Sequence, residues 1–335
     1  MRVLITGGAG FIGHHVIHAL LTYTNAEIVS LDRLDYSGNL NRLSHALESF
    51  DRPTKARVKV VHHDLKAAIN PHVAAHIGQV DVILHLAAGS HVDRSIDFPL
   101  EFAMDNVIGT VNILDFARTQ NLNRFVYFST DEVFGPAPEG ISYRERDRYN
   151  STNPYSASKA GAEEFAVAYE NTYGIPIYIT HTMNVFGERQ SPEKFIPMCI
   201  RKVLNGETVT IHSNPDKTKA GSRHYIHAID VAEALLFLLT EQPKVGVDFG
   251  SAKCAKFNIV GATELDNLEL AQMIARFVGR DLKYEMVDFH SSRPGHDLRY
   301  ALDGGLMKSL GWEPQPIEQR LVHTVDWFVN NREWL

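Results

Sequence analysis

Five residues in two short runs can carry proton chemistry: Thr130-Asp131-Glu132, and the pair Tyr155 and Lys159. A phenol titrates at about 10, so at neutral pH it is a weak base. A lysine ammonium beside it favours the phenolate and brings it toward working range. The YxxxK spacing supplies that neighbour if the segment is helical, because residues four apart share a helix face. Asp131 and Glu132 add an acid and a base if their surroundings separate their pKa values. Taken alone, a tyrosine and a lysine at this spacing are an ordinary surface pair, so the rest of the chain must decide.

The elements that must position these groups are readable around them. Residues 124–128 (RFVYF) are apolar, aromatic and β-branched, a buried strand with Thr130-Asp131-Glu132 at its carboxyl end. Asn153 caps a helix whose first residue is Pro154, and this helix carries Tyr155 and Lys159 on to about Tyr173. Near the amino end, a strand over residues 2–6 runs straight into Gly7, Gly10, Phe11, Ile12 and Gly13, then a helix, then a strand ending at Asp32. In a βαβ unit such glycines allow a tight turn, and the helix amino end attracts a pyrophosphate. This predicts a dinucleotide site. Asp32 would bond the ribose diol and repel a 2′-phosphate, favouring NAD; Arg33 works against that preference.

Further strands are predicted at 58–65, ending in Asp64-Leu65 beside the adenine, and at 80–86. The latter closes in Leu86-Ala87-Ala88, small enough for a cofactor to lie against the backbone, then Ser90 and His91. Residues 99–120 read as one helix with more apolar positions than a single stripe, which predicts a second buried face and a subunit contact. A strand over 175–181 leads to Asn184. The alternation then loosens. The fold expected is α/β, a doubly wound parallel Rossmann sheet over residues 1–181 with a smaller α/β carboxyl-terminal domain over 182–335. Residues 223–242 are expected to pack back on the first domain. Asn258 falls in a short strand. Arg223 and the loop carrying Arg293, His296 and Arg299 could clamp a diphosphate.

Composition narrows the function. The 335 residues are 44% hydrophobic and 22% charged, enough for one large core or two joined ones. A net charge of -7 with no basic block argues against nucleic acid. Cys199 and Cys254 form no disulfide framework or CxxC pattern, which fits a reducing cytoplasm. No basic-plus-apolar leader precedes the first strand. The longest aliphatic run, residues 234–239, is too short for a bilayer. His14/His18 and His72/His76 have helical spacing but no HExxH glutamate or cysteine partner, so they read as surface pairs and no metal is expected.

Together these motifs resemble the extended short-chain dehydrogenase/reductases, and within them the nucleotide-sugar 4,6-dehydratases. The match runs nearly end to end, through residues 6–13 (TGGAGFIG), 85–95 around Ser90-His91, 129–135 (STDEVFG), 154–159 (PYSASK), Pro192-Glu193-Lys194 and 293–297 (RPGHD). The glycine motif and YxxxK are shared across the superfamily; the Thr-Asp-Glu triplet is the specific signal.

The resemblance implies NAD as cofactor, an NDP-sugar in the smaller domain and a homodimer through the 99–120 and Tyr155 helices. It implies that Tyr155 takes the 4-hydroxyl proton while NAD takes the C4 hydride. Lys159 would tune the tyrosine and hold the nicotinamide ribose, and Thr130 would bond the 4-oxygen. Glu132 would remove the C5 proton, Asp131 would protonate the departing 6-hydroxyl, and the hydride would return to C6. Ser90, His91, Asn184, Lys194, Arg223, Asn258, Arg293 and His296 would face the sugar and its diphosphate. The overall resemblance puts dTDP-glucose first and UDP-glucose next, while Gly89, Met183-Asn184-Val185 and the 213–222 loop depart from the dTDP-glucose pattern where sugar or nucleotide would be sensed. A 4-epimerase would need Tyr155 but neither carboxyl group, and a non-catalytic NAD-binding scaffold would need none of the five.

Overall fold

The computed structural model describes residues 1–35, 37–243, 254–288 and 298–335. Arg293 and His296 lie outside the described residues. Six segments form strands β1 (Arg2–Thr6), β2 (Glu27–Asp32), β3 (Val58–His62), β4 (Val82–His85), β5 (Arg124–Thr130) and β6 (Ile177–Thr182). They lie in the order 3-2-1-4-5-6, every pair parallel. The order reverses between β1 and β4. Loops leaving those two strands diverge and open a crevice at the carboxyl edge of the sheet.

A seventh strand, Ala255–Ile259, pairs with β6, Phe257 opposite Thr180, and extends the same sheet. It lies beyond the 181 boundary drawn from sequence, and its pairing is with the large sheet rather than with the smaller layer.

Both sheet faces are covered, which explains the near-continuous apolar strands. Side chains alternate along β1: Val3 and Ile5 join one core with Val16, Ile17 and Leu20 of helix Phe11–Tyr23 and Val231, Leu235 and Leu238 of helix Ala228–Glu241. Leu4 points the other way, into a core with Ile113 and Leu114 of helix Gly109–Ala117 and Ala162 and Ala166 of helix Pro154–Tyr173. A third core joins helices Phe195–Asn205, Asn267–Val278 and Ile317–Asn330 over strand Val209–Ser213, through Ile200, Ile274, Leu321 and Phe328. Burial of this order is worth about 25 cal/mol per Å² of apolar surface.

Two readings are corrected. His14 and His18 are not a surface pair: His14 is fully buried, its Nδ1 3.1 Å from the Gly10 carbonyl and its ring 4.1 Å from that of His15. The helix packs against both the sheet and helix Ala228–Glu241, which covers His14 near its start. His72 and His76 do lie on the surface. Nor is 99–120 one regular helix. Two α-helical pieces, Pro99–Phe102 and Gly109–Ala117, flank a π-helical stretch, Ala103–Ile108. Such stretches occur mostly as single-turn insertions, often at functional sites. Around it an apolar face is exposed: Phe98, Leu100, Met104 and Ile108, with Phe165 on helix Pro154–Tyr173.

Candidate functional site

One continuous cleft runs along the carboxyl edge of the sheet. It is lined by Gly7, Gly10, Phe11, Ile12, Gly13, Asp32, Arg33, Asp64, Leu65, Leu86, Ala87 and Ala88 at one end, and by Thr130, Asp131, Glu132, Tyr155 and Lys159 at the other. Ser90, His91, Asn184 and Lys194 complete the second end.

The first end is built by close backbone approach. Gly7 has φ +73°, and a Cβ there would fall 2.9 Å from the Ala87 nitrogen. A Cβ on Gly13 would fall 2.2 Å from the Gly7 oxygen. Gly10 caps the helix without a side chain, so no local oxygen competes for the first N–H groups. This cradle accepts an anion. Asp32 receives hydrogen bonds from the Ala9 and Leu34 N–H groups at 3.1 and 2.9 Å, which hold its carboxylate toward the cleft. Burial nonetheless pushes its pKa up. Turn, uncapped helix and carboxylate fit a dinucleotide with a free ribose diol.

The second end joins two elements. β5 stops at Thr130, and a 3-10 turn, Asp131–Phe134, sets the carboxyl groups side by side. The Thr130 hydroxyl donates to Asp131 Oδ1 at 3.0 Å and accepts the Glu132 N–H at 3.3 Å. The Asn153 side-chain oxygen accepts the Ser156 N–H at 2.8 Å, closing a capping box, with Pro154 at the first position. Its Nδ2 donates to Glu132 Oε2 at 3.0 Å. One residue thus starts the Tyr155 helix and aims the glutamate. Ser95 Oγ accepts the Tyr155 N–H at 3.1 Å, and Phe102 meets the tyrosine ring edge to face.

Electrostatics differ here from the sequence expectation. Lys159 Nζ donates to the Phe128 carbonyl at 2.7 Å and lies over the Tyr127 ring. Burial lowers its pKa to about 7, and Glu163 opposes that drop. The Tyr155 phenol is pushed up, by burial first and by Glu132 next, while Thr130 pulls it down. The charges that act most on the phenol are those of Glu132 and Asp131 rather than that of Lys159. Asp131 rises to about 6 through burial, with Arg223 opposing. Glu132 rises to about 7 through burial and the charge of Asp131. Two adjacent carboxyls that share a proton near neutrality can act as an acid and a base.

Other sequence candidates fall elsewhere. Asn258 is fully buried at the sheet edge, its Nδ2 donating to the carbonyls of Tyr143 and Asp303 at 3.0 and 3.1 Å. It clamps chain to chain and does not line the cleft. Arg223 donates to the Ser222 and Leu298 carbonyls at 2.6 and 2.7 Å, outside the lining, although its charge reaches both carboxyls. Arg33 does line the cleft, but its guanidinium is bound to Asp35 and Asp105. Asp105, Arg42 and Gln190 also line it and were missed. The sequence showed Asp105 and Asn106 as polar residues in a largely apolar stretch, but not which way they point. Among the described residues no cluster of three or more metal-ligating side chains occurs. None of their helices is long and apolar enough to cross a membrane.

Residues 4–324 match the model of the family described as GDP-mannose 4,6 dehydratase. The chain is 38% identical over 334 residues to the low-salt glycan biosynthesis protein Agl12 of Haloferax volcanii, covering 99% of this chain and 100% of the relative. It is 34% identical over 365 residues to dTDP-glucose 4,6-dehydratase of Escherichia coli, covering 100% of this chain and 95% of the relative. Among solved structures it is similar to DesIV, a dTDP-glucose 4,6-dehydratase from Streptomyces venezuelae with NAD bound. The TM-score is 0.85 at 36% identity, over 100% of this chain and 98% of that one.

Proposed function

The chain belongs to the family described as GDP-mannose 4,6 dehydratase, and from that premise we propose that it is an NAD-dependent NDP-glucose 4,6-dehydratase, a hydro-lyase acting first on dTDP-glucose. The observation that carries the reading is the meeting of Thr130-Asp131-Glu132 with Tyr155 and Lys159 in the cleft that begins at the glycine turn.

Gly7 and the Gly10–Gly13 turn would hold the NAD pyrophosphate, Asp32 the ribose, and Asp64 and Leu65 the adenine. Leu86, Ala87 and Ala88 would lie against the cofactor, and Lys159 would hold the nicotinamide ribose. Bound NAD supplies a hydride acceptor for C4, a hydride donor for C6 and a positive charge that favours a phenolate. Tyr155 takes the proton from the 4-hydroxyl, and the Thr130 hydroxyl turns from Asp131 Oδ1 to donate its one hydrogen to the 4-oxygen. The 4-ketone makes the C5 hydrogen acidic. Glu132, held by Asn153, removes it. Asp131 gives its proton to the 6-hydroxyl, which leaves as water. Elimination therefore uses its own base and acid, which is why two carboxyls stand beside the tyrosine. Ser90, His91, Asn184 and Lys194 would face the sugar side, and the Arg223 charge acts on Asp131 and Glu132 from outside the lining.

The exposed face of Phe98, Leu100, Met104, Ile108 and Phe165 supports a homodimer through the 99–117 segment and helix Pro154–Tyr173. Both cysteines are buried and unbonded, which supports a reducing cytoplasm.

Turnover in D2O tests the reaction. With dTDP-glucose, deuterium should appear at C5 of a 4-keto-6-deoxy product while the C4 hydrogen moves to C6. Recovery of a 4-epimer with no keto product would overturn the proposal. Running UDP-, CDP- and GDP-glucose in parallel ranks the nucleotide.

A further inference from the structure

Arg33 directly follows Asp32 at the end of β2, where a guanidinium can pair with the 2′-phosphate of NADP. Its donors are already engaged. Nε donates to Asp35 Oδ2 at 2.6 Å. Nη1 and Nη2 donate to the two oxygens of Asp105 at 2.6 and 3.0 Å, a bidentate pair spanning 72 residues of chain. Lys66 Nζ, a second nearby cation, stands 3.6 Å from the same Asp105 and 3.8 Å from Asp64. A third, Arg42, is engaged by the carbonyls of Arg189, Ala9 and Ser37. Four carboxylates (Asp32, Asp35, Asp64 and Asp105) thus face three cations along this wall of the cleft.

Asp105 reaches Arg33 because of where it sits. It belongs to the π-helical stretch Ala103–Ile108. The next residue, Asn106, receives the Gly89 N–H at 2.7 Å and donates to the Gly89 carbonyl at 3.1 Å and to Ser158 Oγ at 2.8 Å. A Cβ on Gly89 would crowd the Phe102 ring at 3.2 Å and make ordinary contact with Asp105 Oδ2 at 3.4 Å.

We infer that Asp105, with Asp35, sets the choice between the two dinucleotides by holding the Arg33 guanidinium away from a 2′-phosphate. Asp32 alone disfavours that phosphate; the clamp prevents the adjacent arginine from reversing the preference. The inference rests on the NAD reading above.

Competition for the full-length protein tests it. The protein is equilibrated with equal concentrations of NAD and NADP and freed of unbound nucleotide, and the bound nucleotides are released and quantified. Wild type should carry NAD nearly alone. Asp105→Asn should raise the NADP-to-NAD ratio by about tenfold or more, the size of one charge-assisted bidentate contact. Asp35→Asn should move it the same way by about threefold, and serves if Asp105→Asn does not fold. Arg33→Ala placed on either variant should return the ratio to wild type. An unchanged ratio in both aspartate variants, with NAD still bound, overturns the inference. So does a rise that survives Arg33→Ala. Wild type binding neither nucleotide would instead strike at the NAD reading itself.

Discussion

Glu163→Gln should destabilise the protein by an amount that can be worked from its contacts. Glu163 lies on helix Pro154–Tyr173, one turn beyond Lys159, with no exposed surface. Oε1 accepts from Lys256 Nζ at 2.8 Å and from the Tyr149 hydroxyl; Oε2 lies 3.1 Å from His181 Nε2. Lys256 also donates to the Tyr149 oxygen at 2.7 Å. The cluster ties the helix to β6 and to the edge strand Ala255–Ile259. Glutamine keeps the shape and removes the charge, leaving a mostly buried ammonium unopposed. Breaking a buried pair in this way costs about 3–5 kcal/mol. With an unfolding entropy of about 2.1 cal/mol/K per residue, a chain this long shifts by about 1.4 °C per kcal/mol, so Tm should fall by about 4–7 °C at pH 7. The pH dependence has a definite sign. Partners and hydrogen bonds hold the Glu163 carboxyl well below its ordinary range against the push of burial. Its contribution is therefore complete above the unfolded value of about 4.3 and is lost as pH falls through the folded one. The gap between wild type and variant, read by differential scanning fluorimetry, should be constant from pH 8 to pH 5 and narrow in stronger acid. A gap below about 1.5 °C at pH 7, or one that widens in acid, refutes the reasoning.

Three other outcomes are expected. Burial raises Asp131 to about 6 and Glu132 to about 7, so kcat should peak between those limits, where the pair holds one proton, and fall on both sides; the working form is the minority one, with that proton on Asp131, the weaker base of the two. Asp131→Asn removes the charge that raises Glu132, so the remaining acid limb should move to lower pH as turnover drops roughly 100-fold; a limb that stays in place would show the carboxyls to be independent. Leu100, 75% exposed and the most exposed residue of the apolar face, should matter to assembly. Leu100→Glu should halve the mass seen by sedimentation, and wild type sedimenting as a monomer would remove the dimer proposal.

Legibility differed by element for physical reasons. The strands around the site announced themselves because a sheet covered on both faces needs long β-branched and aliphatic runs. The Asn153-Pro154 start of the tyrosine helix was readable because capping is local chemistry. Asp105 was not readable, since its direction depends on a π turn that residue spacing does not reveal. Asn258 was misplaced because a five-residue strand shows no partner in its own sequence; its pairing with β6 crosses more than seventy residues. The behaviour of Lys159 was missed for another reason. Which acceptor a long flexible amine finds, here the Phe128 carbonyl, is decided by packing.

The stretch Ala103–Ile108 has one further consequence. Met104 and Ile108 look outward into the exposed apolar face, while Asp105 and Asn106 look inward at the cofactor end of the cleft. A single turn of chain therefore forms part of two surfaces. If a second subunit resting on the outer one strengthens the hold on nucleotide at the inner one, reciprocity requires that bound nucleotide strengthen the grip between subunits by the same factor. Diluting the protein would then loosen its hold on the nucleotide, and saturating it with nucleotide would draw the subunits together.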